Sequence, residues 1–163
     1  MPNIFVRVPK GAFPADARQR LARNIDDAAA AAEQMANDPQ KRALTWIVID
    51  EVESGMWSCG GFDVSSQVLT CSAIVHVPAG VLNAPARALY IKLMHEAFRQ
   101  ALPNGEPRKL LTSVILQNVE EGSWGGNGSV WTLPKLAQAA GYAHLQHLVH
   151  SGAPSVRKIE AVP

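Results

Sequence analysis

The sequence contains an internal duplication, and this feature most restricts the folds open to the chain. Residues 6–18 read VRVPKGAFPADAR and residues 75–87 read VHVPAGVLNAPAR, which share the frame V-x-V-P-x-G followed by A-R. Residues 45–61 read TWIVIDEVESGMWSCGG and residues 112–128 read TSVILQNVEEGSWGGNG, which share V-E-x-G-x-W and a following glycine. Because both blocks recur in the same order at nearly the same offset, the chain is predicted to hold two copies of one unit.

Each copy predicts a strand, a helix and a second strand. The first strands are expected over residues 4–8 and 73–77, each closed by a Pro-x-Gly turn. Apolar residues at helical spacing predict helices over about residues 14–37 and 84–101, the second capped by Asn83 with Pro85 in its first turn. The second strands are expected over residues 45–52 and 113–119. This order is typical of a βαβ unit with parallel strands and a right-handed crossover.

Two such units predict an α/β (α+β) fold with a four-stranded mixed sheet and two helices on one face. We expect one domain over residues 1–163, made of repeats at about 1–64 and 70–130. A C-terminal helix and a tail are expected over about 131–163. Two helices cover one sheet face, yet IVIDEV and SVILQNV carry apolar residues at successive positions, as in strands buried on both faces. A second copy of the chain is therefore predicted to cover the other face, in an obligate oligomer.

Composition excludes several classes of function. The net charge is +1 and no basic cluster is present, so a nucleic-acid partner is not expected. No apolar run reaches about 18 residues and no signal peptide opens the chain, so we expect no membrane segment. Cys59 and Cys71 lack metal-site spacing, and His144 and His147 have no nearby Cys or acidic partner, so neither metal nor cofactor is expected. The protein is predicted to be reduced and cytoplasmic.

The start of the chain, MPNIFVRVPKG, resembles the opening of the tautomerase superfamily, which has a start Met, Pro2, a short strand and a Gly turn. LTWIVIDEVESGMWSCGG and LLTSVILQNVEEGSWGGNG are similar to the second strand and hairpin of 4-oxalocrotonate tautomerase. The doubled unit resembles the longer, fused members of that superfamily over residues 1–128. The resemblance implies a tautomerase-like fold and assembly as a trimer.

The resemblance also implies that Pro2, freed by removal of Met1, acts as a general base or acid. A free α-amine titrates near 8, and burial lowers that value because the charged form loses its hydration. Such an amine suits proton transfer next to a carbonyl group. The implied activity is that of an isomerase that interconverts the keto and enol forms of a small 2-oxo acid, without a cofactor.

The chain departs from the family where dianion-binding members carry arginine. The positions after Gly11 and Gly80 hold alanine and valine, and neither second strand begins with an arginine. A doubly charged substrate is therefore not favoured. Arg7 and Lys10 are the candidates that remain for binding a carboxylate, with Arg18 and Arg87 on the first helical turns as further cations.

Four further positions match between the copies or the family pattern. His76 matches Arg7 and is either a pocket group or a strand histidine at a subunit contact. Trp57 and Trp124 match the family's hairpin aromatic and either wall a substrate pocket or pack in the core. Cys71 matches Pro2 and is either a catalytic thiol or a small buried strand residue.

Acidic positions are less informative. Glu53 and Glu120 are matched, and each is either a second acid or a structural contact to its hairpin. DDAAAAAEQMAND is predicted to be an ordinary helical face without a functional charge cluster.

Two functions outside simple tautomerisation stay open at this point. The missing arginines also suit a non-catalytic oligomeric protein that binds a small acid. A decarboxylase or hydratase that depends on the same proline is the other alternative.

Overall fold

The computed structural model describes residues 1–150, and its centre is one four-stranded sheet. The strands are β1 Asn3–Pro9, β2 Trp46–Val52, β3 Val68–Pro78 and β4 Lys109–Val119. They lie in the order β2-β1-β3-β4. β1 is parallel to β2, β3 is parallel to β4, and β1 is antiparallel to β3. The predicted mixed sheet of two βαβ units is confirmed.

Two long helices pack on one face of the sheet, as expected from the duplication. They are α1, Ala15–Glu33, and α3, Ala84–Ala101, which contact each other closely. α3 has the predicted bounds, and the Asn83 side chain accepts a 2.9 Å hydrogen bond from the Ala86 amide at its N-terminus. α1 ends earlier than predicted because Gln34 adopts a left-handed backbone with φ of 53°. A one-turn helix, α2, follows at Pro39–Arg42.

The core lies between the sheet and these helices. Every second residue of β1 and β3 is buried against α1 and α3, as period-two alternation requires. The largest fully buried apolar side chains are Phe13, Tyr90, Phe98, Tyr142, Ile4, Leu21, Ile25, Leu69, Met94 and Leu136.

The opposite face of the sheet is apolar and open within one chain. Phe5, Val48, Leu111 and Ile115 are between 40% and 48% exposed, and Trp46 is 67% exposed. Successive apolar residues of β2 and β4 thus point to opposite faces, and only one of those faces is covered by helices. Burial of both faces, which the apolar runs predict, is not achieved by a single copy.

The strands of the second unit are longer than the sequence predicts. β3 and β4 are each eleven residues long and pair without interruption from Val68 with Lys109 to Pro78 with Val119. Polar residues such as Thr70, Ser72 and Thr112 obscured these extensions, although parallel pairing holds them in the sheet.

The segment after the repeats is not one helix, contrary to expectation. A two-stranded hairpin, β5 Gly125–Gly126 and β6 Ser129–Val130, precedes α4, Leu133–Ala140, and α5, Gln146–His150. Gly141 ends α4 with φ of 66°, and a Cβ there would lie 2.9 Å from Ala36 Cβ. A single-turn 3-10 helix, Ala143–Leu145, precedes α5.

The tail predicted beyond residue 150 lies outside the described residues. Within residues 1–150, no helix combines the length and apolar character that crossing a bilayer requires.

Candidate active site

The antiparallel pairing of β1 and β3 decides which parts of the two copies meet. Asn3 lies opposite His76, and Arg7 lies opposite Ser72. The start of β1 therefore lies beside the end of β3 and the hairpin that follows β4. The start of β3 lies correspondingly beside the end of β1 and the hairpin that follows β2. Each hairpin therefore lies beside the start of the first strand of the other copy.

A cleft of about 130 Å³, here called the N-terminal cleft, opens beside the start of β1. Three of its nine lining residues are tryptophans, and no lysine or arginine is among the described residues that form its walls. The lining residues are Met1, Asn3, Leu44, Trp46, Trp124, Gly125, Gly126, Asn127 and Trp131.

The β5–β6 hairpin holds two of the three tryptophans in place. The Trp131 amide donates a 2.8 Å hydrogen bond to the Trp124 carbonyl, and the Trp131 indole donates one of 3.2 Å to the Gly126 carbonyl. A Cβ on Gly126 would lie 3.1 Å from the Trp131 indole nitrogen, so glycine permits this close approach. Trp124 is only 7% exposed, which fits a wall that is also a packing residue.

The N-terminal amine is buried next to this cleft. The Met1 amine lies 3.1 Å from Glu33 Oε2. Burial lowers the pKa of this amine, and the Glu33 carboxylate opposes that shift. Pro2 is buried, and its carbonyl accepts a 3.1 Å hydrogen bond from the Trp46 amide, which ties the chain start to β2.

Glu33 lies at the centre of a buried polar cluster. Its side chain has 0% exposure. Tyr142 Oη donates a 2.8 Å hydrogen bond to Oε2, and Tyr90 Oη donates one of 3.1 Å to Oε1. Burial raises the pKa of Glu33, and the N-terminal amine limits that rise. Burial also raises the pKa of Tyr90, so its hydroxyl keeps the proton that it donates.

Sequence reasoning missed Glu33, which was assigned to an ordinary helical face. Two signals could have found it. Ile25, Ala29 and Glu33 are spaced at i, i+4 and i+8, so the glutamate continues a buried row of α1. An acidic residue in the last turn also opposes the helix dipole, which calls for a local compensating partner.

A second, larger cleft of about 330 Å³ lies at the other end of β1. Lys10, Glu53, Trp57 and Arg108 are among its lining residues. Lys10 Nζ lies 2.5 Å from Glu53 Oε1, so the predicted carboxylate-binding lysine already has an exposed partner. Cys71 is close to this end, and burial raises the pKa of its thiol to about 12, with Arg108 opposing the shift.

Trp124 lines the N-terminal cleft with Met1 and Asn3, the neighbours of Pro2 in the chain, whereas Pro2 is buried and is not among the lining residues. The other candidates lie farther away. At about 3.3 Å per residue, Lys10 is roughly 25 Å along the strand from Pro2, and Trp57 is at the same distant end. Arg7 and His76 lie on the open face of the sheet. Arg7 is exposed, and the His76 ring meets the Phe5 ring edge-on at 5.7 Å.

The two first-turn arginines have matching structural contacts. Arg18 Nη1 lies 3.2 Å from Glu51 Oε2, and Arg87 Nη2 donates to Asn118 Oδ1 at 2.5 Å. Each therefore ties the start of a long helix to the end of the second strand in its own repeat.

Comparison with known proteins yields structural likeness alone, since no family model and no curated protein matches the chain. Q0 fused 4-OT, a wild-type symmetric trimer, is 19% identical and has a TM-score of 0.63, over 85% of this chain and 98% of its own. Pt0534 inactivated by 2-oxo-3-pentynoate is 15% identical and has a TM-score of 0.63, and the match covers 78% of this chain and 94% of Pt0534.

A third solved structure is N1, a member of the cis-3-chloroacrylic acid dehalogenase family. It is 11% identical with a TM-score of 0.63, over 91% of this chain and 96% of its own. All three proteins are members of the tautomerase superfamily, which confirms at the level of fold the resemblance seen in the sequence. The chain has the fold of the tautomerase superfamily.

Proposed function

We propose that the protein is a tautomerase that interconverts the enol and keto forms of a small 2-oxo acid. The observation that carries this proposal is the buried N-terminal amine beside a tryptophan-lined cleft, at the start of the first strand of a tautomerase fold. Removal of Met1 makes the Pro2 nitrogen a terminal secondary amine, whose direction the proline ring fixes.

The chemistry needs one group that both takes and returns a proton. Unprotonated Pro2 amine removes the proton from the enol hydroxyl of the substrate and leaves an enolate. The resulting ammonium then delivers a proton to the neighbouring carbon, which gives the keto form and regenerates the free amine. Burial of the chain start supports this cycle. It lowers the pKa of the Met1 amine in the unprocessed chain, and Pro2 is itself buried, so its amine is expected to lose hydration in the same way.

The lining of the N-terminal cleft favours a substrate with one carboxylate and an apolar side group. Trp46, Trp124 and Trp131 offer aromatic surface, and no lysine or arginine stands among the described lining residues. Asn3, Asn127 and backbone amides supply hydrogen-bond donors of modest strength. A dianionic acid would lack a matching charge in this part of one chain.

The proposed enzyme acts as a homo-oligomer, with a trimer as the expected form. The open apolar face of the sheet supports assembly, and Q0 fused 4-OT is a symmetric trimer. Assembly would also bring Arg7, exposed on that face, to a neighbouring copy, where a cation is available to a substrate carboxylate. Both cysteines are free thiols, which agrees with the proposed cytoplasmic location.

A covalent probe tests the position of the reactive amine. Because Pt0534 is inactivated by 2-oxo-3-pentynoate, we expect the same reagent to modify this chain. Intact mass should show the loss of Met1 and the gain of one equivalent of reagent, and peptide mapping should place the label on Pro2. Pro2→Gly keeps a terminal amine without the ring and should label more slowly. Labelling confined to Cys59 or to lysines would contradict the proposal.

A non-catalytic, ligand-binding role is the second candidate, and the lack of lysine and arginine among the described residues that line the N-terminal cleft favours it. Measuring thermal stability and turnover with the same compound distinguishes the two functions. A binding protein shows a raised thermal midpoint with phenylpyruvate and no turnover, whereas a tautomerase shows both. A proline-dependent decarboxylase or hydratase would instead act on 3-oxo acids or haloacrylates in the same assay series.

A further inference from the structure

We propose that Glu33 is the positioning residue of the mature N-terminal amine, and that Tyr90 and Tyr142 hold it for this task. The proposal rests on the proposed role of Pro2 and extends it to a second group. No other fully buried charged side chain occurs among the described residues of the core. A charge in such a place is costly unless partners compensate it, so its surroundings carry information about its role.

Three donors converge on this carboxylate from three distant parts of the chain. The N-terminal amine lies 3.1 Å from Oε2, Tyr142 Oη lies 2.8 Å from Oε2, and Tyr90 Oη lies 3.1 Å from Oε1. The two tyrosines thus engage both carboxylate oxygens, and Oε2 also accepts from the amine of Met1.

Removal of Met1 keeps the amine within reach of Glu33. Standard bond lengths put the Pro2 nitrogen less than about 4 Å from the Met1 nitrogen, and hence within about 7 Å of Glu33 Oε2. A carboxylate at this distance stabilises an ammonium through its charge, and more strongly in a buried setting than in water.

The buried setting gives the pair a specific electrostatic property. In the chain that retains Met1, burial lowers the pKa of the terminal amine and raises that of Glu33, and each group opposes the shift of the other. The other titratable groups that face the cluster are His144 on the 3-10 helix and Asp26 on α1. His144 Nε2 forms a 2.8 Å hydrogen bond with the Val81 carbonyl oxygen.

The segment beyond the two repeats completes this arrangement. Gly141 turns the chain after α4, and the Ala143 amide donates a 2.9 Å hydrogen bond to the Gln34 carbonyl at the end of α1. These contacts place Tyr142 over Glu33. The C-terminal segment is therefore part of the site's support and is not an appendage to it.

Titration of the terminal amine tests the inference without relying on turnover. The full chain, labelled with ¹³C and ¹⁵N proline, is titrated by NMR as wild type and as Glu33→Gln. Removal of the carboxylate should lower the pKa of the Pro2 amine by about 1 to 3 units, the usual effect of a nearby opposite charge. Glu53→Gln, which removes the exposed partner of Lys10 at the far end of β1, should leave the titration unchanged.

Two further measurements complete the test. The acid limb of the kcat/KM profile for phenylpyruvate should move to lower pH in Glu33→Gln, in step with the NMR titration. Tyr142→Phe keeps the carboxylate and should lower the pKa of the Pro2 amine by a smaller amount. This variant provides the test if Glu33→Gln fails to fold. An unchanged Pro2 titration in the folded variant overturns the inference. Activity that does not depend on Pro2 overturns the proposed function and leaves the titration result standing.

Discussion

At the scale of single residues, the N-terminal site depends on how burial changes the charges of its groups. Glu33 is fully buried, and burial raises its pKa above the ordinary value near 4.5 while the N-terminal amine opposes the rise. The folded chain therefore binds a proton on Glu33 at a higher pH than the unfolded chain does. Its contribution to stability is complete below about pH 4.5 and is lost as the pH rises through the folded-state pKa.

This pH dependence gives a prediction for Glu33→Gln, which carries no titratable group at that position. The free energy of unfolding of wild type should fall relative to the variant as the pH rises from 4.5 to 7, by at most about 1.4 kcal/mol per pH unit. Urea denaturation of both proteins across that range measures the difference. A difference that stays constant with pH would show that Glu33 has the same pKa in the folded and unfolded chains.

The same residue shows where sequence reasoning failed at this scale. Pro2 and Trp124 could be chosen from the duplication and the family resemblance, because both belong to a local pattern. Spacing could have placed Glu33 in a buried row of α1, but its role could not be derived from the sequence, since its partners Tyr90 and Tyr142 lie 57 and 109 residues away and meet it only in the folded chain. Those two tyrosines belong to no repeat motif that the sequence displays.

At the scale of elements, local chemistry predicted most of the architecture. The stripe of apolar residues and the Asn83 cap defined α3 to the residue, and both βαβ units formed as expected. Predictions were wrong where backbone conformation overrode the apolar pattern. Gln34 ends α1 and Gly141 breaks the C-terminal helix, each with a positive φ that apolar periodicity does not reveal.

The Asn83 cap provides a quantitative test at this scale. Asn83→Ala removes the acceptor of the Ala86 amide and should lower the free energy of unfolding by about 1 kcal/mol. Thr132→Ala is the matched control, because Thr132 occupies the same position before α4 and makes no side-chain capping bond. Its expected cost is close to zero. Equal losses in the two variants, measured by urea denaturation, would remove the assigned role of Asn83.

At the scale of the whole molecule, the open sheet face is the main unsatisfied feature. Helices cover one face, whereas Phe5, Val48, Leu111 and Ile115 on the other remain between 40% and 48% exposed. The apolar runs of the second strands predicted burial on both sides, and a single chain supplies it on one side only. Covering this face in an oligomer would satisfy the pattern without any change in the chain.

Assembly through this face has a direct test. Val48→Lys places a charge on the open face, on the edge strand β2, and should reduce the mass in solution to that of one chain, 17.5 kDa. Ile91→Lys is the matched control, since Ile91 is 45% exposed on the outer side of α3. Light scattering after size exclusion measures both variants. If the Ile91→Lys variant dissociates and the Val48→Lys variant stays oligomeric, the interface lies on the helices.

Proton transfer by the amine of Pro2 can be tested in a single assay. Ultraviolet absorbance follows the conversion of enol to keto phenylpyruvate by wild type and by Pro2→Ala, after intact mass has shown that Met1 is absent from both. We expect turnover by wild type and a loss of at least about 100-fold in Pro2→Ala at an unchanged thermal midpoint. Full activity in Pro2→Ala, or activity in protein that retains Met1, would contradict this expectation.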